Sequence, residues 1–263
     1  MSLTNFAKRI TRLRQRADRD ALSYYCPTPS QMSYICDPSP TKALIGGNQT
    51  GKTVASCALL LYHCLGRHPR LKTDPPPIEA WLVTHSHEQS RTIQQKLYDL
   101  TPKEELHPDC EFVRGKGFRG LAPVVRFRNG SIIRIKTANQ GLGLESESCS
   151  LVVVDEPVNI STYNALQARV TRGGKAGKRG TVALSLTPVG DVDVTYLKDL
   201  IDARKISAHY SPLTVEATTP RTWSGRTLKP LLSAAQVEAV VSSYLPLDRD
   251  ARVFGSFDVA PTG

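Results

Sequence analysis

No stretch of this 263-residue chain approaches the ~20 successive apolar residues that a membrane-spanning helix needs. The apolar segment CALLLYHCL at 57–65 suits a buried helix instead. The first 24 residues include KRITRLRQRADRD, which has the positive charge of a signal peptide's start but lacks the apolar segment that follows one. A cytoplasmic protein with no membrane partner is therefore expected. Cysteine is sparse. The six, at positions 26, 36, 57, 64, 110 and 149, lack the paired C-x-x-C spacing of a zinc site and the density of a disulfide scaffold. Reduced thiols are expected, with Cys57 and Cys64 on one helix as core residues. Acidic residues are outnumbered by basic ones, 24 to 34, which leaves a formal charge of +10. Such an excess suits approach to a polyanion such as nucleic acid, although basic proteins that bind none share it. No internal repeat is found. The length and a hydrophobic content of 40% fit one dominant α/β core with a small appendage.

What is there reads as alternating strands and helices. Leu3, Phe6, Ile10, Leu13 and Ala17 recur at spacings of three and four, with Arg9, Arg12, Arg14 and Arg16 between them, the pattern of an amphipathic basic helix. Its charged face is either solvated or a docking or DNA-contacting arm. CPTPSQMSYICDPSP (26–40), with four prolines, reads as an irregular approach to the core. KALIG (42–46) is a strand, followed by a glycine-rich loop and the helix KTVASCALLLYHCLG, closed by Gly66. AWLVT (80–84) is a second strand, with a helix from about Glu88 to Leu100. LVVVD (151–155) and TVALSLT (181–187) repeat the pattern with the helix STYNALQARV between them. Apolar strands without clean alternation imply helices on both faces of a mostly parallel sheet.

VVRFRNGSIIRIK (124–136) differs, because apolar and basic residues alternate around Asn-Gly, a hairpin signal. A two-residue turn would pair Val125 with Arg134 and mix the faces. A three-residue loop of Arg128, Asn129 and Gly130 pairs Val125 with Ile133, so that Val125, Phe127, Ile133 and Ile135 share one face and Arg126, Arg134 and Lys136 the other. That register is predicted, with Gly130 left-handed. The basic face is either solvated or a DNA contact. RGGKAGKRG (172–180), with Lys175, Lys178 and Arg179, has either no role or one facing a polyanion or a neighbouring subunit.

The chemistry concentrates in three motifs. GGNQTGKT (46–53) matches G-x-x-x-x-G-K-[ST] between a predicted strand and a predicted helix, the context that confirms a phosphate loop. Gly46, Gly47, Asn48, Gln49, Thr50 and Gly51 turn backbone N–H groups inward, Lys52 reaches the β- and γ-phosphates of ATP, and the Thr53 hydroxyl ligates Mg²⁺. LVVVDEP puts Asp155 at a strand end to hold the magnesium shell and Glu156 beside it to orient and deprotonate a water. The alternative for this pair is a helix cap and a solvated carboxylate. SLTP (185–188) ends another strand in hydroxyls, at the edge where open α/β sheets bind ligands; Ser185 and Thr187 either sense the γ-phosphate or serve the turn. His85 and His87 have no acidic or cysteine partner nearby and read as a surface loop after a strand.

The order of these motifs resembles the large subunit of tailed-bacteriophage terminases, ATP-driven motors that package double-stranded DNA into empty capsids, over nearly the whole chain from about Pro27. PSQMSY resembles the family's adenine-recognition segment, with Gln31 at the base-contacting position; FRNGSIIRIKT looks like the hairpin before its second motif, LVVVDEP like its Walker B segment, and SLTP like its coupling motif. The tail from Leu232 is similar to the segment that ends the ATPase half. The resemblance implies a P-loop NTPase of RecA/ASCE-like α/β fold with an antiparallel hairpin and a small C-terminal lid or linker subdomain. The implied division is a basic helix at 1–24, an ATPase core at 25–205 and a lid at 206–263. It further implies double-stranded DNA, a portal protein and a small terminase subunit as partners, a homo-oligomeric ring on the portal, and the cytoplasm of an infected bacterial host.

Two departures stand out. Asn48 and Gln49 occupy a region where many members of that family carry an arginine, and NQGLGLESESCS (139–150) holds no arginine where a trans-acting finger often lies. Arg134, Arg169 and Arg172 are the remaining finger candidates. Counterparts of the family's nuclease carboxylates are absent, so the chain reads as the motor half. The alternatives are a helicase-like or other RecA-like DNA-dependent ATPase, which would usually show a second such domain, and a nucleotide-binding module with negligible hydrolysis, against which Glu156 argues.

Overall fold

The computed structural model describes residues 11–12, 15–47, 50–120, 123–138, 147–171, 173–174, 177–187, 194–211, 221–223 and 226–228. Residues 11–12 and 15–19 are helical (α1), followed by Pro29–Ile35 (α2), Thr41–Ile45 (β1), Lys52–Cys64 (α3), Glu79–Thr84 (β2) and His87–Leu100 (α4). Two short strands, Phe112–Val113 (β3) and Gly117–Phe118 (β4), form a side ribbon. Val124–Arg126 (β5), Ile132–Thr137 (β6), Leu151–Asp155 (β7), Ile160–Val170 (α5), Thr181–Leu186 (β8), Thr195–Asp202 (α6) and Ser207–Tyr210 (β9) continue the body. Arg221–Trp223 (β10) pairs antiparallel with Arg226–Leu228 (β11).

The main sheet has seven strands in the order β5-β6-β2-β7-β8-β1-β9. Every pairing is parallel except β5 with β6. The reason lies in the strand sequences. Alternate side chains of a strand point to opposite faces, and here both directions are apolar. Leu44, Leu82, Leu151, Val153 and Ala183 enter one hydrophobic layer, beneath α2, α3 and α4. Ala43, Ile45, Trp81, Val83, Val152, Val154, Val182 and Leu184 enter the other, with Leu166 and Val170 of α5 and Leu197 of α6. A sheet buried on both faces demands near-continuous apolar strands, and it rewards each fully buried large side chain by about 1.5–3 kcal/mol. Trp81 is wholly buried, so truncating it to alanine is expected to cost about 3–5 kcal/mol.

The hairpin has the register expected from its alternation. Val125 pairs with Ile133, Phe127 N–H donates to Ser131 O and Gly130 N–H to Phe127 O, both at 3.0 Å, and Gly130 has φ +84. Val125, Phe127, Ile133 and Ile135 are buried. One expectation fails: the proline-rich approach to the core is not wholly irregular. Pro29–Ile35 is a helix with a capping box, in which the Thr28 hydroxyl accepts from Gln31 N–H and the Gln31 side chain accepts from Thr28 N–H. Pro29 sits in its first turn, where a missing N–H does no harm. At the other end, β9 pairs with β1, so the segment expected as a lid from residue 206 begins inside the main sheet.

Candidate active site

The carboxyl ends of β1, β8 and β7 meet at one edge of the sheet, and β8 separates the other two. At this edge the chain leaves β1 through Gly46, whose N–H donates to Leu186 O of β8 at 3.2 Å. A side chain here has no room, since a Cβ on Gly46 would lie 2.6 Å from Ser211 Cβ. Gly51, at φ +79, opens α3 without any side-chain cap. The first N–H groups of this 13-residue helix thus gather positive potential with no side-chain acceptor, the physical basis of an anion site. Lys52, 7% exposed, donates from Nζ to Gly47 O at 2.7 Å, and the Thr50 hydroxyl donates to the same oxygen at 2.9 Å. Burial lowers the Lys52 ammonium below its ordinary value, opposed by the charges of Glu156 and Asp155.

Opposite the loop, β7 ends in Asp155, which is 6% exposed. The Thr53 hydroxyl donates to its Oδ2 at 3.3 Å and the Ser185 hydroxyl to its Oδ1 at 2.9 Å. Burial raises the Asp155 carboxyl above the usual carboxylate range, with both hydroxyls and the charges of Lys96 and Lys52 pulling it back. Glu156 turns sharply off the strand with φ 79, and its N–H donates to Ser185 O at 2.8 Å. Its carboxylate accepts the Thr187 backbone N–H; burial and then the neighbouring Asp155 raise its pKa. A carboxylate and a hydroxyl are hard oxygen donors of the kind Mg²⁺ takes while keeping water and substrate phosphates in its shell. Thr53 and Asp155, beside an uncapped helix start and a lysine, fit that ion. Among the described residues no group of three or more His, Cys, Asp or Glu forms an all-protein metal cage.

Gln31, from α2, reaches the same loop: its Nε2 donates to Thr50 O at 3.0 Å. Asn48, Gln49, Arg172 and Lys175 lie outside the described residues. The other finger candidates stand toward the opposite edge of the sheet. Arg134 donates to Glu79, the first residue of β2, at 2.7 Å and pairs with Glu147 at 3.1 Å. Arg169 is in the last turn of α5, where its carbonyl accepts from Cys149 N–H ahead of β7. Of the candidate DNA contacts, Lys136 lies over the Trp81 ring, 4.0 Å from its centroid, and Arg179 donates to Gln167 at 2.6 Å, whereas Arg126 and Lys178 are exposed.

Sequence reasoning gave no role to Lys96 of α4, whose charge acts on Asp155 and Lys52. Of His85 and His87, both expected in a surface loop, His85 is exposed and its charge also lowers the pKa of Glu156, whereas His87 is the first residue of α4. No local pattern marks Lys96 or His85, because both act across space. The T-P-S-Q spacing of Thr28 and Gln31 was a readable capping box, and it would have placed Gln31 on a helix.

A mostly parallel sheet with a glycine-rich loop after β1, Asp155 and Glu156 at the end of β7, and Ser185 and Thr187 at the end of β8 between them has the RecA-like α/β fold. Among solved structures, the large terminase ATPase domain of Thermus phage P74-26 is similar with TM-score 0.52 and 15% identity, over 72% of this chain and 82% of that one. The HK97 bacteriophage large terminase is similar at TM-score 0.48 and 16% identity, over 83% of this chain and 47% of that one. A yeast DEAD-box splicing factor gives TM-score 0.49 and 16% identity, over 78% and 50%. At 15% identity the first of these likenesses is one of fold. No protein-family model matches the sequence, and no curated protein does.

Proposed function

We propose that this chain is an ATPase that drives translocation of double-stranded DNA, the motor portion of a phage DNA-packaging machine. The observation that carries the ATPase reading is Asp155 held between the hydroxyls of Thr53 and Ser185, with Glu156 turned out of the strand beside it. Thr53 and Asp155 would hold Mg²⁺, which when bound supplies positive charge to the β- and γ-phosphates. Loop N–H groups from Gly46 to Thr53 cradle the phosphates, and the Lys52 ammonium exchanges Gly47 O for the γ-phosphate. The Glu156 carboxylate orients a water for in-line attack and takes its proton, a task that suits a carboxyl whose pKa lies above the usual range. Thr187, bonded through its N–H to that carboxylate, and Ser185 report the state of the γ-phosphate to the chain beyond β8.

The packaging role is favoured by the likeness of motif order and by the phage terminase ATPase domain among the similar folds. On this reading subunits form a ring on a portal protein, with a small terminase subunit as a further partner, in the cytoplasm of an infected bacterium. The basic helix at 1–24 flanks the ATPase core, and the segment from 206 onward starts as strand β9 of its sheet and continues as the lid. The finger comes from Arg134, Arg169 or Arg172 of a neighbour. Arg126, Lys136, Lys175, Lys178 and Arg179 supply phosphate contacts, so that grip weakens as salt rises.

The test is steady-state ATP hydrolysis by wild type, Lys52→Ala and Glu156→Gln, each with and without double-stranded DNA, with ATP binding followed in parallel. Lys52→Ala is expected to slow turnover roughly a hundredfold or more. Glu156→Gln should bind ATP and not turn it over. Normal hydrolysis by Glu156→Gln overturns its role as base, and turnover indifferent to DNA in the assembled ring overturns the motor.

A further inference from the structure

Ser211 follows the carboxyl end of β9, where its N–H donates to Ile45 O of β1 at 2.7 Å. The residue is 1% exposed, and its hydroxyl is buried without a hydrogen-bond partner among the described residues. Such a group destabilises the fold, because it has given up water and gained no protein bond in exchange. Its surroundings supply a reason for it. A Cβ placed on Gly46 would lie 3.0 Å from Thr50 Oγ1 and 3.1 Å from Ser211 Oγ, so the two hydroxyls flank the space that glycine leaves open at the root of the loop. Thr50 Oγ1 gives its proton to Gly47 O at 2.9 Å and keeps its lone pairs as acceptors. Ser211 carries the donor that matches them.

The loop is arranged around Gly47 O, which accepts from Thr50 Oγ1 and, at 2.7 Å, from Lys52 Nζ. Both of its lone pairs are taken. A bound triphosphate draws the Lys52 ammonium away from that oxygen and lets Thr50 settle toward Ser211. We propose that Ser211 is a positioning residue of the triphosphate site: with the site filled, its hydroxyl donates to Thr50 Oγ1 across Gly46. Occupancy is thereby tied to β9, the edge strand of the sheet. The inference rests on the nucleoside triphosphate site proposed above and deepens it. The free loop stands beside an unmet donor, and filling the site meets it.

The test is a double-mutant cycle on the full chain with Ser211→Ala, Thr50→Val and the two together. Each is titrated with inorganic triphosphate in Mg²⁺ buffer by calorimetry and unfolded in urea without ligand. Ser211→Ala removes a donor that has no partner in the free protein, so its urea midpoint is expected to equal or exceed that of wild type. Its dissociation constant for triphosphate is expected to rise about three- to tenfold, as for one neutral hydrogen bond made only in the bound state. Thr50→Val should weaken binding as well, and adding Ser211→Ala to it should weaken it no further. Should Thr50→Val fail to fold, Thr50→Ala takes its place in the cycle. Triphosphate binding by Ser211→Ala equal to that of wild type, or losses that multiply in the pair, overturn the proposal. So does a lowered urea midpoint or a Ser211→Ala chain that does not fold, since either shows the free protein already using the hydroxyl. A wild type that binds no triphosphate removes the site reading itself, a result distinct from any of these.

Discussion

Thr53 and Asp155 stand 102 positions apart in the chain, yet the Thr53 hydroxyl donates to Asp155 Oδ2 at 3.3 Å. The second oxygen of that carboxylate is held by Ser185 at 2.9 Å. Ser185→Ala frees it to rotate and leaves a buried charge one partner short. A hydrogen bond to a charged group contributes about 1.5–3 kcal/mol. Turnover of ATP by Ser185→Ala is therefore expected to drop roughly ten- to a hundredfold, measured against wild type at saturating ATP.

Glu156 adopts φ 79, a left-handed conformation that strains any residue with a Cβ by about 1–2 kcal/mol. Glycine has no such strain but loses more chain entropy on folding. Glu156→Gly is expected to be as stable as wild type or up to about 1 kcal/mol more stable in denaturant unfolding, and inactive. A clearly destabilised variant would show that the glutamate side chain, not the backbone turn, is what the fold needs.

Gly51 combines φ +79 with close approach to Gln31 Nε2. Gly51→Ala strains the turn and displaces the Gln31 amide from Thr50 O. Affinity for inorganic triphosphate and for nucleotide should both fall, by about tenfold or more, because the uncapped helix start is displaced with the turn. Isothermal titration with triphosphate checks this without relying on catalysis.

His63 lies on α3 with Nε2 buried and without a partner among the described residues. Burial first, then the charges of Lys42 and His68, push its pKa down from 6.5 to about 3. The folded state thus resists a proton that the unfolded chain accepts below pH 6.5. Stability contributed by neutral His63 is complete above that pH and declines as pH falls toward 3, with a slope approaching about 1.4 kcal/mol per pH unit. His63→Phe should flatten that part of the urea-midpoint profile between pH 6 and pH 4 (about 2 units). An unchanged slope means that the ring is accessible to protons in the native state.

Much of this fold could be read from sequence where a local pattern and a tertiary demand coincide. The hairpin is an instance: only the three-residue loop puts Val125 opposite Ile133 and all four apolar residues in one layer. Asp155 at the end of a run of buried valines was legible for a similar reason, since an abrupt charge after an apolar strand marks the sheet edge. The prolines of 26–40 misled, because proline breaks a helix only after its first turn, and Pro29 is in the first turn of α2. The β3–β4 ribbon was not legible at all. It is held by long-range contacts, Tyr98 stacked on Phe112 at 4.1 Å and Gln94 accepting from Phe118 N–H at 2.8 Å, that no spacing along the chain announces.

The place of β8 between β1 and β7 limits how a chemical event can leave this site. Ladders on both sides fix its register, and sliding it by one residue would reverse every side chain between the two apolar layers. The strand is therefore an anvil rather than a piston. On the proposed reading, loss of a phosphate beside Ser185 and Thr187 therefore leaves the strand where it is, and what can answer it is the side-chain bonding at the strand's end, the Ser185 hydroxyl on Asp155 and the Glu156 carboxylate on Thr187 N–H.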